Sequence, residues 1–293
     1  MCRLFGMSAG SEPARATFWL LDAPDSLVQQ SHREPDGTGI GWFDAGGAAR
    51  ISKQPRAAYE DSVFSREATE ISSRNFVAHI RFATTGALTR RNTHPFEQDG
   101  RLFAHNGVIE DLPALDAQLG DALRLVEGDT DSERFFALIT REVAERGGAV
   151  GAGIAAAAGW VAEHLPLLAI NCVLIAADEL WALRYPETHE LYVLERAPGT
   201  PLRHESRLGR RVHCDDARER PLVVIASERM DDDPGWRLLD CGELLHVTPT
   251  LAVNSQRILD TPPSRPLTLA DLSPQAQASQ TPAAVGEGSA GSS

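Results

Sequence analysis

The chain begins Met1-Cys2-Arg3-Leu4-Phe5-Gly6-Met7-Ser8-Ala9, and the rest of the fold is read outward from this stretch. Residues Arg3–Ala9 have the apolar run of a buried strand, placed at the very start of the chain. In front of that strand stands Cys2, behind an initiator methionine of the kind commonly removed before a small residue. Removal leaves a thiol and an α-amine on one residue. A free α-amine has a pKa of about 7.7–8.0, so a useful fraction is neutral near pH 7 and can accept the thiol proton. A nucleophile built this way needs no histidine base. The plain alternative is a cysteine packed as a small hydrophobe, and Cys2 alone does not choose between them.

Further along, Ala16–Ser31 carries Phe18, Leu20, Leu21, Leu27 and Val28 near helical spacing, interrupted by Pro24. Pro35-Asp36-Gly37-Thr38-Gly39 has turn chemistry and runs into a hairpin of Ile40–Phe43 and Ala49–Ser52 around Gly46-Gly47. Strands are expected at Phe76–Phe82 and Arg101–Ala104, and helices at Pro113–Leu119, Asp131–Arg146 and Ala149–His164. Leu167–Ala176, Leu180–Tyr185, Glu190–Leu194, Pro221–Ala226 and Arg237–Val247 read as further strands. Strand clusters interleaved with paired helices argue for an α+β layered domain. Thr261–Ser293 is rich in Pro, Ser, Ala, Gln and Gly and lacks aromatic residues, so a domain over 2–260 and a flexible tail over 261–293 are expected.

The 293 residues carry 28 basic and 41 acidic side chains, a net charge of −13, and Lys53 is the single lysine. Such a chain repels phosphate backbones, which argues against nucleic-acid binding. Four scattered cysteines (Cys2, Cys172, Cys214, Cys241) build neither a disulfide framework nor a C-x-x-C zinc site. The most apolar window, Ala149–Leu165, is broken by Gly151, Gly153, Gly159, Glu163 and His164, so no membrane span is expected. The start of the chain lacks a basic, then apolar, leader, and the expected setting is the reducing cytoplasm.

Four segments bear on the chemistry of Cys2. His79-Ile80-Arg81-Phe82-Ala83-Thr84-Thr85-Gly86 ends an apolar strand with a guanidinium and a hydroxyl pair, and a planar guanidinium can hold a carboxylate through two parallel hydrogen bonds. Asn92-Thr93-His94-Pro95-Phe96 makes a polar, proline-stiffened turn. Ala104-His105-Asn106-Gly107-Val108-Ile109 contains an Asn-Gly pair, first of all a turn signal, whose amide and N–H can also point at one oxygen as an oxyanion hole. Gly128-Asp129-Thr130-Asp131-Ser132-Glu133 reads as a helix cap or as a carboxylate turned inward onto an ammonium. Together these describe a pocket for a zwitterion with a side-chain amide, of which glutamine is one fit.

In that order, Met1-Cys2, His79–Thr84, Asn92–Phe96, Ala104–Gly107 and Asp129–Glu133 resemble the motifs of the class II glutamine amidotransferases, over roughly residues 2–250. The resemblance implies a four-layer αββα sandwich of the N-terminal nucleophile hydrolase type. It implies Cys2 as nucleophile with its freed amine as base, and Asn106 and Gly107 as the oxyanion hole. It also implies Arg81 on the substrate carboxylate, Thr84 and His94 supporting the pocket, and Asp131 on the ammonium. No metal and no cofactor are implied. Cys2–Ala9 and Asp36–Trp42 look like the compact, stand-alone members related to the γ-glutamyl amidohydrolase of ergothioneine synthesis.

Phe82 and Thr85 depart from the tryptophan and histidine of many synthetase-linked members, and residues 261–293 leave no room for a synthase domain. The expected reaction is hydrolysis of the amide of glutamine or of a γ-glutamyl compound, with a partner protein as one acceptor of the ammonia. Two alternatives stand beside it: specificity for a γ-glutamyl sulfur metabolite, and a non-catalytic subunit that keeps the fold. A metal set of His79, His94 and His105 lacks supporting cysteine or carboxylate spacing. His213–Asp216 reads as a solvated loop, and Ser227-Glu228 as a segment in reach of the pocket.

Overall fold

Side chains of the first strand, β1 (Arg3–Ser8), alternate between two cores: Leu4 enters one, Phe5 and Met7 the other. Gly6 shares the face of Leu4, where a Cβ would stand 2.9 Å from Val173 Cγ1, so the close approach of a second sheet requires glycine there. The computed structural model describes residues 2–82, 86–199, 220–274 and 277. After β1 come α1 (Leu27–Gln30), β2 (Gly37–Phe43), β3 (Ala49–Gln54), α2 (Ser62–Glu70), β4 (Asn75–Arg81), β5 (Phe96–Gln98) and β6 (Arg101–Ile109). Helices α3 (Leu112–Leu119), α4 (Asp131–Glu145) and α5 (Val150–His164) follow, then β7 (Pro166–Ile175) and β8 (Leu180–Arg184). The chain closes with β9 (Tyr192–Arg196), β10 (Leu222–Ala226), β11 (Arg237–Leu238), β12 (Glu243–Val247), β13 (Val253–Arg257) and β14 (Arg265–Pro266).

One sheet runs β11-β9-β10-β1-β4-β2-β3 and the other β13-β12-β8-β7-β6-β5. Every neighbouring pair along these orders is antiparallel, which matches the hydrophobic alternation of the strands. Between the sheets pack Leu4, Val77, Val223 and Ile225 against Leu102, Ala104, Val173 and Leu245. On the far side of the first sheet, Phe5, Phe76 and Val224 meet Trp19, Leu27 and Phe64. On the far side of the second, Phe103, Leu174 and Trp181 meet Phe135, Phe136 and Val161 of α4 and α5. The result is the α+β, four-layer αββα sandwich.

Two expectations change. Arg237–Val247 is two strands rather than one, because Gly242 turns the chain at φ +76° and the Gly242 N–H donates to Arg184 O. The segment from Thr261 to Leu272, expected in a flexible tail, packs on the domain. Thr261 O accepts the Tyr185 hydroxyl at 2.9 Å, β14 pairs with β7, and Leu272 is buried beside Val108 and Leu168. Composition concealed this, since a few backbone hydrogen bonds and one leucine suffice to dock a polar segment.

Phe103 is fully buried and stacked on Phe136 at 4.7 Å. Phe103→Ala should destabilise the fold by about 4 kcal/mol in denaturant unfolding, and a loss under about 1 kcal/mol would contradict this packing.

Candidate active site

Antiparallel pairing of β1 with β4 sets Leu4 opposite His79 on the face between the sheets. Cys2, two residues before Leu4, and Arg81, two after His79, share that face by the period of the strand. The Cys2 thiol donates to the Phe82 carbonyl and its sulfur accepts the Phe82 N–H, both at 3.4 Å. Burial pushes the Cys2 thiol up, opposed by the Phe82 N–H and by the positive charge of Arg81. The resting thiol therefore keeps its proton, and attack requires a base.

Arg81 is buried and donates to the carbonyls of Ala87 (3.3 Å) and Gly86 (3.4 Å). Burial lowers its pKa, while Cys2, Asp36 and Asp131 act in the opposite direction, so its charge is felt at both the thiol and Asp131. Arg81 and Asp131 are the two residues expected at the ends of a zwitterion.

Asn106 and Gly107 do not form the turn that an Asn-Gly pair ordinarily signals. They lie inside β6, with Asn106 opposite Asn171 and Gly107 opposite Ile170. Asn106 is 3 % exposed and shares the inter-sheet face of Leu102 and Ala104. At Gly107 a Cβ would fall 1.7 Å from the Ala169 carbonyl oxygen, so no side chain fits against β7 there. That close approach overrides the local turn preference.

The two readings of the Gly128–Glu133 segment divide between neighbours. Thr130 caps α4 by accepting the Glu133 N–H at 3.2 Å, which leaves Asp131 free of capping duty. Asp131 turns inward at 4 % exposure, and its Oδ2 accepts the Ile109 N–H at 2.9 Å. Ser132 links it to His105: the Ser132 hydroxyl lies 3.5 Å from Asp131 Oδ1 and 2.9 Å from His105 Nδ1.

His94 is buried between the rings of His79 (centroids 4.1 Å apart) and Phe96 (4.6 Å), and neither of its ring nitrogens has a hydrogen-bond partner among the described residues. Burial, reinforced by His79, drives its pKa well down. Burial likewise brings His79 to about 3. Both stand neutral, packed against one another. The three imidazoles thus gather, yet among the described residues no group of three His, Cys, Asp or Glu is arranged to hold a metal ion.

Thr84, Cys214 and the His213–Asp216 loop lie outside the described residues. Cys172 is core and Cys241 half-buried. Ser227 and Glu228 do reach the start of β1. Leu4 N–H donates to Ser227 Oγ at 2.9 Å, and Glu228 accepts from Arg3 Nη2 at 2.6 Å. Sequence reading missed Arg3 and Glu34, which ion-pair at 3.5 Å on the other face of β1, and missed the His105–Ser132 pair. The alternation that turns Cys2 inward was the available signal for Arg3. A cavity of about 790 Å³ between the start of α5 and Trp181, Leu244 and His246 includes none of the expected site residues.

Residues 1–264 match the family "glutamine amidotransferases class-II", and the chain belongs to that family. It is an enzyme of the class that acts on an amide carbon–nitrogen bond. The γ-glutamyl-hercynylcysteine sulfoxide hydrolase of Mycolicibacterium smegmatis is 30% identical over 229 residues, covering 74% of this chain and 83% of that one. Among solved structures, the glutamine phosphoribosylpyrophosphate amidotransferase of B. subtilis superposes with a TM-score of 0.62 at 20% identity. This match covers 89% of the present chain and 50% of that one. A glutamine aminotransferase class-II domain protein from Silicibacter pomeroyi gives a TM-score of 0.58 at 21% identity, covering 87% and 99%. Both share the fold. Among the described residues no helix is long and apolar enough to cross a membrane.

A histidine held neutral at about pH 3 costs nothing above its unfolded pKa near 6.5, where both states are neutral. Below that, the unfolded chain binds the extra proton, and stability falls by up to about 1.4 kcal/mol per pH unit per histidine. Unfolding free energy should therefore drop between pH 6.5 and about 3, less steeply in His79→Phe. An unchanged slope in that variant would contradict a neutral buried His79.

Proposed function

We propose that the enzyme hydrolyses the side-chain amide of glutamine or of a γ-glutamyl compound through a thioester on Cys2. The observation that carries this reading is the placement of the Cys2 thiol and Arg81 on one face, with Arg81 electrostatically linked to both Cys2 and Asp131. Arg81 takes the substrate α-carboxylate and Asp131 the α-ammonium. This sets the side-chain carbonyl toward the sulfur. As the S–C bond forms, the thiol proton passes to the freed α-amine of Cys2, and the Asn106 amide and Gly107 N–H hold the oxyanion. The ammonium returns that proton to the leaving nitrogen as the C–N bond breaks. Water then adds to the thioester, giving up its proton to the amine, and glutamate leaves as the C–S bond breaks. His94 and Thr84 support the pocket. The ammonia passes to solvent or to an accepting partner protein.

A γ-glutamyl sulfur metabolite is the second reading, favoured by the likeness to the Mycolicibacterium hydrolase. A higher kcat/KM on glutamine than on a γ-glutamyl-cysteine-type amide supports the first, and the reverse order supports the second.

Cys2→Ala and Cys2→Ser should each lower turnover by about a thousandfold or more while the circular dichroism spectrum stays that of the wild type. Near-wild-type glutaminase activity in Cys2→Ala would remove the assignment. Asn106→Ala should lower kcat by about 10²–10³ with KM little changed, and a tenfold rise in KM at constant kcat would make Asn106 a binding residue instead.

A further inference from the structure

Alternation along β1 sends Cys2 into the cleft between the sheets and Arg3 to the opposite face. There a single nitrogen of Arg3, Nη1, lies 3.3 Å from the Cys2 carbonyl oxygen and 3.5 Å from Glu34 Oε1. The other, Nη2, binds Glu228 at 2.6 Å. The Arg3 and Glu34 side chains are 7% and 5% exposed, so one buried guanidinium fixes both the main chain of the nucleophile and the carboxylate beside it. Glu228 takes the shorter contact with Arg3 and also accepts from Arg33 at 3.0 Å. Through the shared Nη1 of Arg3, the Glu34 carboxylate stands beside the main chain of residue 2.

We propose that Glu34 is the positioning residue for the α-amine of a mature N-terminal Cys2, holding its ammonium form and setting the pH at which it becomes a base. The inference rests on the reading that Cys2 is the nucleophile and the first residue. Electrostatics agree with the placement. Burial raises the Glu34 carboxyl, and Arg3 and Arg33 draw it back down. Glu34 in turn raises the Cys2 thiol, so its field reaches the nucleophile. The charged groups facing this point are Arg3 from β1, Arg33 and Asp25 from the segment before β2, and Glu228 after β10. Arg81 acts on Cys2 from the cleft side, and Asp36 acts in turn on Arg81.

A carboxylate beside an ammonium favours the charged form and raises the amine pKa. In the reaction this stabilises the ammonium that forms when the thiol proton is taken up, and holds that proton for the leaving nitrogen. Removing the negative charge must do the reverse. In Glu34→Gln the acid limb of the kcat/KM–pH profile should move to lower pH by about one unit, whereas Glu34→Asp should leave it within about 0.3.

The experiment begins with intact-mass spectra of wild type and Glu34→Gln, with and without a glutamine-like electrophile. Retention of Met1, or no adduct on Cys2 in the wild type, defeats the underlying reading of Cys2. If Cys2 is first and labelled, yet the acid limb stays put in Glu34→Gln or moves equally in the Asp variant, the inference about Glu34 alone is overturned. Should Glu34→Gln fail to fold, the wild type still decides. Its Glu34 carboxyl carbon, followed by NMR, must show an inflection at the midpoint of the acid limb, and a flat titration there overturns the inference.

Discussion

The register of β1 between β4 and β10 governs everything at the site. With both edges paired, Phe5 stands opposite Ala78 on one side and Ala226 on the other. A slip by one residue would exchange Leu4 with Phe5 between the two cores and turn Cys2 out of the cleft onto the face that holds Arg3. Gly6 allows no such slip either, because the second sheet approaches too closely for any side chain at its position. The hydrophobic alternation that builds the sandwich therefore also aims the sulfur.

The second sheet faces the candidate site from the other side. Asn106 and Gly107 are presented by β6, and the next turn of the same strand offers the Ile109 N–H to Asp131 of α4. Arg81 of the first sheet feels the charge of Asp131 from the other layer, so these groups come together only when the two sheets are packed. Burial raises the Cys2 thiol and keeps His79 and His94 neutral. The same burial strengthens the electrostatic interaction between Arg81 and Asp131. The protein thus holds the Cys2 thiol protonated at rest beside the charge of Arg81.

Much of this was legible in the sequence because it is local. The apolar run of β1, the Gly46-Gly47 hairpin and the Gly128–Glu133 segment at the start of α4 are each specified by a few adjacent residues. Asn106-Gly107 read locally as a turn, and only the pairing of β6 with β7, which leaves no space at Gly107, shows why it is strand. The Arg3–Glu34 pair was out of reach for the same reason. Its members are distant in sequence and meet through the ordering of strands rather than through any motif. The segment from Thr261 to Leu272 misled in the other direction, since polar composition conceals a parallel pairing of β14 with β7.

The central claim is that residue 2 carries the reacting sulfur in a cleft that grips glutamate at both charged ends. Peptide mapping after exposure to a γ-glutamyl electrophile, with and without excess glutamate, tests it most directly. The account predicts a single adduct on Cys2 whose formation glutamate suppresses. An adduct on Cys172 or Cys241 instead, or labelling of Cys2 that glutamate leaves untouched, would contradict it.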